Sequence, residues 1–217
     1  LLYSKFFLHL ANSEIEEALG VTRLINQREP FNEASMLFIT GLAEILTNHQ
    51  NAEYTARKFL NTDHEYRDYI RMMLYTHIME QGRISDAKIY LNERWREINP
   101  LSWDGRLRQN DANVWREMWI GYYNGTVDRQ DIFGPLQDLE SFHNHPFSKL
   151  GMPYSGLLCE AYFYEALLQG VTGPEMTRNR RRLENLNKAL ETNYYSYYEY
   201  HMARYLKDLA MKLVMGS

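Results

Sequence analysis

The amino-acid sequence predicts an all-α protein, an α-α superhelix of stacked antiparallel helical hairpins with about eleven helices. Apolar residues recur at the 3.6-residue period of an amphipathic helix along most of the 217 residues. Runs that alternate apolar and polar residues, as half-buried β-strands do, are essentially absent. Glycine and proline number only 12 and 6, which is few for a β-rich or disordered chain.

Seven apolar stripes with helical spacing define the predicted helices. They span 34–45, 52–60, 70–78, 84–98, 157–168, 183–190 and 198–213. Four predicted capping boxes mark helix starts, because in this motif a Ser or Thr side chain accepts from a helical amide and a Glu three residues on reaches back. The boxes are Ser13/Glu16, Thr62/Glu65, Thr172/Glu175 and Ser196/Glu199.

The links between the stripes predict how neighbouring helices are arranged. Short polar turns such as 81–83 force consecutive helices to run antiparallel. A longer break at 143–153 contains two prolines. We therefore predict a helical repeat region over 1–143 and, over 153–217, a C-terminal hairpin with a final helix packing on the same solenoid. One continuous domain is the alternative.

The segment 82–100 carries the most specific pattern in the chain. Gly82 provides a turn, the small Ala87 allows close helix approach, and the bulky Leu91 follows four residues later. Pro100 then closes the unit. This arrangement resembles the second half of a tetratricopeptide repeat, in which turn, small, bulky and proline positions follow in this order.

Weaker copies of the pattern occur at Ala18 and Ala56. Together with Ala87 they are spaced by 38 and 31 residues, close to the family's period of about 34. The resemblance to the tetratricopeptide-repeat family therefore covers residues 1–100. Arg94 departs from the pattern, since a small residue is usual there. An irregular α-helical bundle is the alternative, because Ala and Leu at these spacings occur in any packed helix.

Composition narrows the classes of partner. A formal net charge of −4 and an isoelectric point near 6.0 give no general attraction to nucleic acid or anionic membranes. The longest apolar stretch, 1–10, is half the roughly 20 residues that span a bilayer, so we expect no membrane span. The single cysteine, Cys159, forms no internal disulfide and favours a reducing, cytoplasmic compartment. Because the chain opens without Met, we expect further protein upstream of Leu1.

Motifs of catalysis or metal binding are incomplete. The segment His64–Asp68 begins like the zinc motif H-E-x-x-H, but Asp68 replaces the second histidine. Glu140 and His143 form one copy of the E-x-x-H spacing, whereas di-iron bundles need two. Phosphate-binding glycine motifs and the G-x-S-x-G nucleophile motif are missing. We predict no catalytic residue, no cofactor and no metal ligand.

Two segments have compositions suited to binding. The segment 178–182 is the only dense basic cluster, and it is either a solvated face or a docking patch for an acidic peptide or phosphate. Tyrosine is abundant, with 17 residues in the chain and its densest run at 194–200. Tyrosines suit interfaces and the packing of helices in a thin solenoid equally well.

The tetratricopeptide resemblance implies a function in protein binding. In that family the first helix of each pair lines a groove that holds a peptide or a partner helix. With Ala87 as anchor, the matching positions here are Tyr69, Met72, Thr76, Met79 and Glu80. We expect a non-enzymatic scaffold whose partner is another protein or peptide. A sensing or regulatory domain of a longer regulator and a helical enzyme with a polar pocket are the alternatives.

Overall fold

Twelve α-helices and one 3₁₀ helix make up the part of the chain that a computed structural model describes, residues 2–12, 14–28, 33–98, 103 and 113–215. The helices are α1 (Leu2–Ala11), α2 (Ile15–Arg28), α3 (Glu33–Leu46), α4 (Ala52–Leu60), α5 (Arg67–Glu80), α6 (Ile84–Glu97), α7 (Asn113–Asn124), α8 (Arg129–Phe133), α9 (Leu139–Asn144), α10 (Tyr154–Val171), α11 (Glu175–Glu191) and α12 (Tyr198–Met215), with the 3₁₀ helix Pro146–Lys149 after α9. These residues contain no β-strand, which confirms the all-α prediction with one helix more than expected.

Consecutive helices pack as pairs. Helix α1 packs on α2, α3 on α4, α5 on α6, and α10 on α11. Short turns join the partners, so each pair is antiparallel. The turn after α5 takes a left-handed backbone at Gly82, with φ of +76°, and the turn after α3 does so at Asn48, with φ of +53°. Glycine and asparagine tolerate this region better than other residues.

Small residues bring the paired helices close together. Ala18, Ala56 and Ala87, the three alanines of the repeat pattern, are all buried. A Cβ on Gly41 in α3 would lie 3.6 Å from the backbone nitrogen of Ala56 in α4. The backbones therefore approach to within van der Waals contact at this point, and larger side chains there would push the two helices apart.

The last helix returns to the first. Helix α12 packs on α10 and α11 and also on α1. The rings of Phe7 and Tyr198 stack across the α1–α12 contact with their centroids 4.6 Å apart. Helix α5 is central, because it touches α3, α4, α6, α7 and α10. The regions predicted as 1–143 and 153–217 thus meet in one continuous apolar core.

Three of the four predicted capping boxes are wrong, and the fourth, at Ser13, lies outside the described residues. The hydroxyls of Thr62 and Thr172 donate to the carbonyls of Phe59 and Leu168, so both threonines end helices instead of starting them. The side chain of Glu199 accepts from a tyrosine of α10. The capping box that forms precedes α8, where Asp128 and Asp131 each accept a hydrogen bond from the other's backbone amide.

No helix among the described residues combines the length and the apolarity needed to cross a membrane.

Helices α6 and α7 meet closely at Gly121. A Cβ at this position would lie 2.8 Å from Cζ3 of Trp95 and would also collide with the side chain of Val127. Because both neighbours pack in the core, we expect Gly121→Ala to lower the free energy of unfolding by about 2 kcal/mol, the cost of overpacking. Urea denaturation followed by circular dichroism measures the change.

Gly20 is the matched control for this substitution. It lies inside α2, and a Cβ there would have no neighbour within 4 Å. Gly20→Ala should raise the free energy of unfolding by about 0.5–1 kcal/mol, because alanine restricts the unfolded backbone. If Gly121→Ala also stabilised the protein, the close contact between α6 and α7 would be refuted.

Candidate functional site

A cavity with apolar and basic lining is a groove between α3, α5, α10, α11 and α12, with a volume of about 390 Å³. We call it the α12 groove. Its apolar wall combines side chains from α3, α5, α10 and α12, and these are Ile45, Leu46, Met73, Leu167, Leu206, Leu209 and Leu213. Ligand sites in proteins have volumes from about 300 Å³ upward and are mostly apolar with a few polar groups. The groove meets both conditions.

The outer end of α12 supplies exposed apolar surface to this groove. Leu206 is buried, whereas Leu209 and Leu213 are 36% and 57% exposed. These three residues share one face of the helix at the spacing that the sequence predicted. The apolar stripe of α12 therefore runs from the core out to solvent along the groove.

Arginines of α11 form the basic rim of the α12 groove. Arg182 donates from Nη1 to Oε1 of Glu80 at 2.8 Å, and its buried Nε has no partner among the described residues. Gly170 of α10 makes room for this side chain, since a Cβ there would lie 2.9 Å from Cδ of Arg182. Arg178 lines the groove and makes no ion pair with a described residue. The rim therefore keeps positive charge next to an apolar wall.

His77 is the titratable group on the α5 side of the groove. Its ring is buried and lies with Nε2 3.0 Å from the Nε2 of Gln81. Burial is the largest influence on the ring and lowers the pKa of His77 below its ordinary value. The histidine is thus neutral at neutral pH, and the positive charge of the rim comes from the arginines.

The five residues predicted to bind a partner do not form one surface. Met72 is fully buried, Met79 is partly buried, and Tyr69 lines a different cavity. Only Thr76 and Glu80 line the α12 groove, and Thr76 is itself buried. Helix α10 covers the face of α5 that was expected to be open. Partner binding through these five residues stays a prediction, and a partner outside the fold would reach Glu80 first.

Tyr69 belongs to a second cavity of about 300 Å³, which we call the tyrosine–carboxyl cavity. Its lining comprises Tyr66, Tyr69, Arg116, Met152, Glu160, Ser196, Tyr197, Tyr198 and Glu199. Part of the tyrosine-rich run 194–200 therefore faces this cavity. The other members lie in α5, α7 and α10 or, for Tyr66 and Met152, just before α5 and α10, so four segments that are distant in sequence converge here.

Two buried carboxyl groups form the polar part of the tyrosine–carboxyl cavity. Oε2 of Glu160 accepts from the hydroxyl of Tyr69 at 3.0 Å and from Nε1 of Trp115 at 2.7 Å. Oε1 of Glu199 accepts from the hydroxyl of Tyr164 at 3.1 Å. Burial raises the pKa of Glu199 to about 7 and holds that of Glu160 well above its ordinary range. Strongly shifted carboxyls in a cavity are typical of functional sites.

A third cavity, of about 310 Å³, is lined by charged residues that hold α5, α6 and α7 together. Nε of Arg94 donates to both oxygens of Asp68 at 3.1 and 3.2 Å, and Nη2 donates to Oε1 of Glu117 at 3.0 Å. Arg94 is the residue that departs from the repeat pattern. Asp68 is the residue that replaces the second histidine of the zinc-like motif, so its role here is structural.

The other residues singled out in the sequence, His64 and Cys159, pack inside the fold. His64 packs against the rings of Phe38, Phe59 and Tyr66. Among the residues that the structure describes, no group of three or more His, Cys, Asp or Glu side chains could hold a metal ion. Cys159 is fully buried in α10, and burial raises the pKa of its thiol to about 12. Its reactivity as a thiolate is therefore suppressed at neutral pH.

Comparison with protein-family models, curated proteins and solved structures returns no significant match.

Proposed function

We propose that this chain is a non-enzymatic binding module that holds an acidic amphipathic segment of a partner protein in the α12 groove. The observation that carries the proposal is the exposed Leu209–Leu213 face beside Arg178. Apolar side chains of a helix or peptide would pack on the leucines, and an acidic residue would pair with the guanidinium. The proposed binding surface therefore differs from the surface around Tyr69 and Met72 that the sequence predicts.

The proposal includes a tetratricopeptide-like origin for the helix pairs α1–α6. Support comes from the three buried alanines, Ala18, Ala56 and Ala87, and from the antiparallel packing of consecutive helices. In such stacks, binding surfaces lie on faces shared by several pairs. The α12 groove has this character, because five helices line it.

The test uses a synthetic amphipathic peptide with leucines at helical spacing and glutamates beside them. We expect this acidic peptide to bind in a fluorescence anisotropy titration, and a peptide with lysine at every glutamate position to bind at least about tenfold more weakly. Leu213→Glu and Arg178→Glu should each weaken binding of the acidic peptide about tenfold or more. The first places a charge in the apolar wall, and the second reverses the charge of the rim.

Two matched variants control for exposure and charge. Ile89→Glu changes an apolar residue that is 52% exposed on α6, and Arg180→Glu reverses a charge of the same basic cluster outside the groove. Both should bind the acidic peptide like the unmodified protein. Equal losses in control and groove variants, or equal affinity for the acidic and lysine peptides, would refute the groove as a docking site.

A sensing or regulatory domain of a longer regulator is the second candidate function. The tyrosine–carboxyl cavity favours it, because a cavity of about 300 Å³ lined by side chains from four segments has the size of a small-molecule site. The two functions are compatible, since the cavity and the groove share no lining residue.

A further inference from the structure

The walls of the tyrosine–carboxyl cavity are aromatic. Four tyrosine side chains, Tyr66, Tyr69, Tyr197 and Tyr198, line it together with Met152. The ring of Tyr197 is seated on α10 at Gly156, where a Cβ would lie 2.8 Å from the ring. The cavity wall is therefore formed by packing within the fold and does not depend on a ligand.

The carboxyl groups of this cavity are buried and form no ion pair with a described residue, although the charge of Arg116 in the same cavity acts on both. Glu160 and Glu199 are 3% and 5% exposed, and neither makes an ion pair with a described lysine or arginine. Glu160 accepts from the Tyr69 hydroxyl and the Trp115 indole, and Glu199 accepts from the Tyr164 hydroxyl and from a backbone amide. Burying a carboxylate without an ion pair is costly, so burial favours the protonated, neutral form of both carboxyls.

The rings already hold one cation at the edge of the cavity. The guanidinium of Arg116 lies 5.5 Å from the ring centre of Tyr66 and 5.1 Å from that of Tyr69, within the range of a cation–π contact. Nη1 of Arg116 donates to the backbone carbonyl of Glu65 at 3.0 Å, and its charge lowers the pKa of both Glu160 and Glu199 without forming an ion pair with either. The ring faces of Tyr66 and Tyr69 can therefore contact a positively charged group.

We propose that the tyrosine–carboxyl cavity binds a small organic cation, an ammonium group on an apolar body. The ammonium would lie against Glu160 and Glu199, and the apolar body would pack on the tyrosine rings and Met152. Aromatic walls with a carboxylate are the chemistry by which proteins recognise substituted ammonium ions. The volume of about 300 Å³ restricts the ligand to a small molecule.

Binding of such a cation is coupled to proton release. Because burial raises the pKa of Glu199 to about 7, the cation displaces a proton when it binds below this pH. The other groups that face Glu199 are Glu160, Arg116, Cys159 and the tyrosines Tyr66, Tyr69, Tyr164, Tyr197 and Tyr198. Burial raises the pKa of the tyrosines and the thiol far above 7, so these groups do not titrate near the pKa of Glu199.

The test is isothermal titration calorimetry with choline and with 3,3-dimethylbutan-1-ol, its uncharged isostere. We expect choline to bind at least about tenfold more tightly than the alcohol, and its affinity to rise between about pH 6 and pH 8. Glu199→Gln should weaken choline binding about tenfold and flatten its pH dependence, because glutamine keeps the shape but not the charge. Tyr197→Leu should weaken choline binding and leave the alcohol unchanged.

Glu165→Gln is the matched control. Glu165 is an equally buried carboxyl of α10, but it faces Tyr122 and Arg129 outside the cavity. This variant should bind choline like the unmodified protein, and circular dichroism verifies that every variant is folded. Absence of choline binding at about 10 mM, equal affinity for choline and the alcohol, or unchanged binding in folded Glu199→Gln would each overturn the proposal. The α12 groove would be unaffected by that outcome.

Discussion

Replacing Arg94 with alanine should lower the free energy of unfolding by about 3 kcal/mol, because two buried carboxylates lose the guanidinium that donates to them. The side chains of Asp68 and Glu117 are only 10% and 7% exposed, and Arg94 itself is 22% exposed. Arg71 lies 3.6 Å from Asp68 and retains some positive charge there, so we place the loss at the lower end of the range for broken buried ion pairs.

Urea denaturation at neutral pH measures this loss. Two further variants show whether it comes from the buried ion pairs. Arg96→Ala removes an exposed arginine of the same helix and should change the free energy of unfolding by less than about 0.5 kcal/mol. The triple variant with Arg94→Met, Asp68→Asn and Glu117→Gln should recover part of the loss, because it removes the charges together. A loss below about 1 kcal/mol for Arg94→Ala would show that the network contributes little to stability.

Glu199 should make the protein less stable as the pH rises from about 4.5 to 7, and Glu199→Gln should remove this contribution. The lowered pKa values of His64, His77 and His201 act in the opposite direction below pH 6.5. The pKa of Glu199 is raised from its ordinary value of 4.5 to about 7 by burial, so between these values the folded state binds more protons than the unfolded state. The contribution of Glu199 to the free energy of unfolding is therefore largest below pH 4.5 and declines until pH 7. Integrated over the interval, the decline is about 3 kcal/mol.

Glu160 acts in the same direction, because burial raises its pKa well above the ordinary range. Its contribution adds to the decline above the ordinary carboxyl pKa of 4.5. Denaturation curves of the unmodified protein and of Glu199→Gln at pH values from about 5 to 8 measure the difference. The variant should gain on the unmodified protein as the pH rises. Parallel stability curves for the two proteins would mean that Glu199 titrates as an exposed carboxyl does.

Most helices could be predicted from sequence, since the seven apolar stripes match α3 to α6 and α10 to α12. The apolar period is a local property of each segment and does not depend on tertiary contacts. None of the seven stripes falls on α7, α8 or α9. Helix boundaries were harder. Thr62 and Thr172 have the residue types of a helix start, yet their hydroxyls donate to carbonyls of the preceding helix. A threonine can act at either end, and only the backbone path decides between the two.

The candidate sites were less predictable, since they depend on contacts between distant segments. Tyr69 and Met72 read as a groove face, but helix α10 returns from about ninety residues later to cover them. One signal for the second cavity was present in the sequence. Glu160 interrupts an otherwise apolar stretch of α10, and a carboxyl placed inside a buried helix needs partners or a function. Glu199 was misread as a capping residue.

The contact between α12 and α1 changes how the stack should lose its structure. In a linear repeat array the terminal units have one neighbour each, so they fray first and unfolding spreads inward along the chain. Here the stacked rings of Phe7 and Tyr198 join the first helix to the last, and each shields the other's apolar face. We therefore expect both ends to unfold together with the centre, in one cooperative transition.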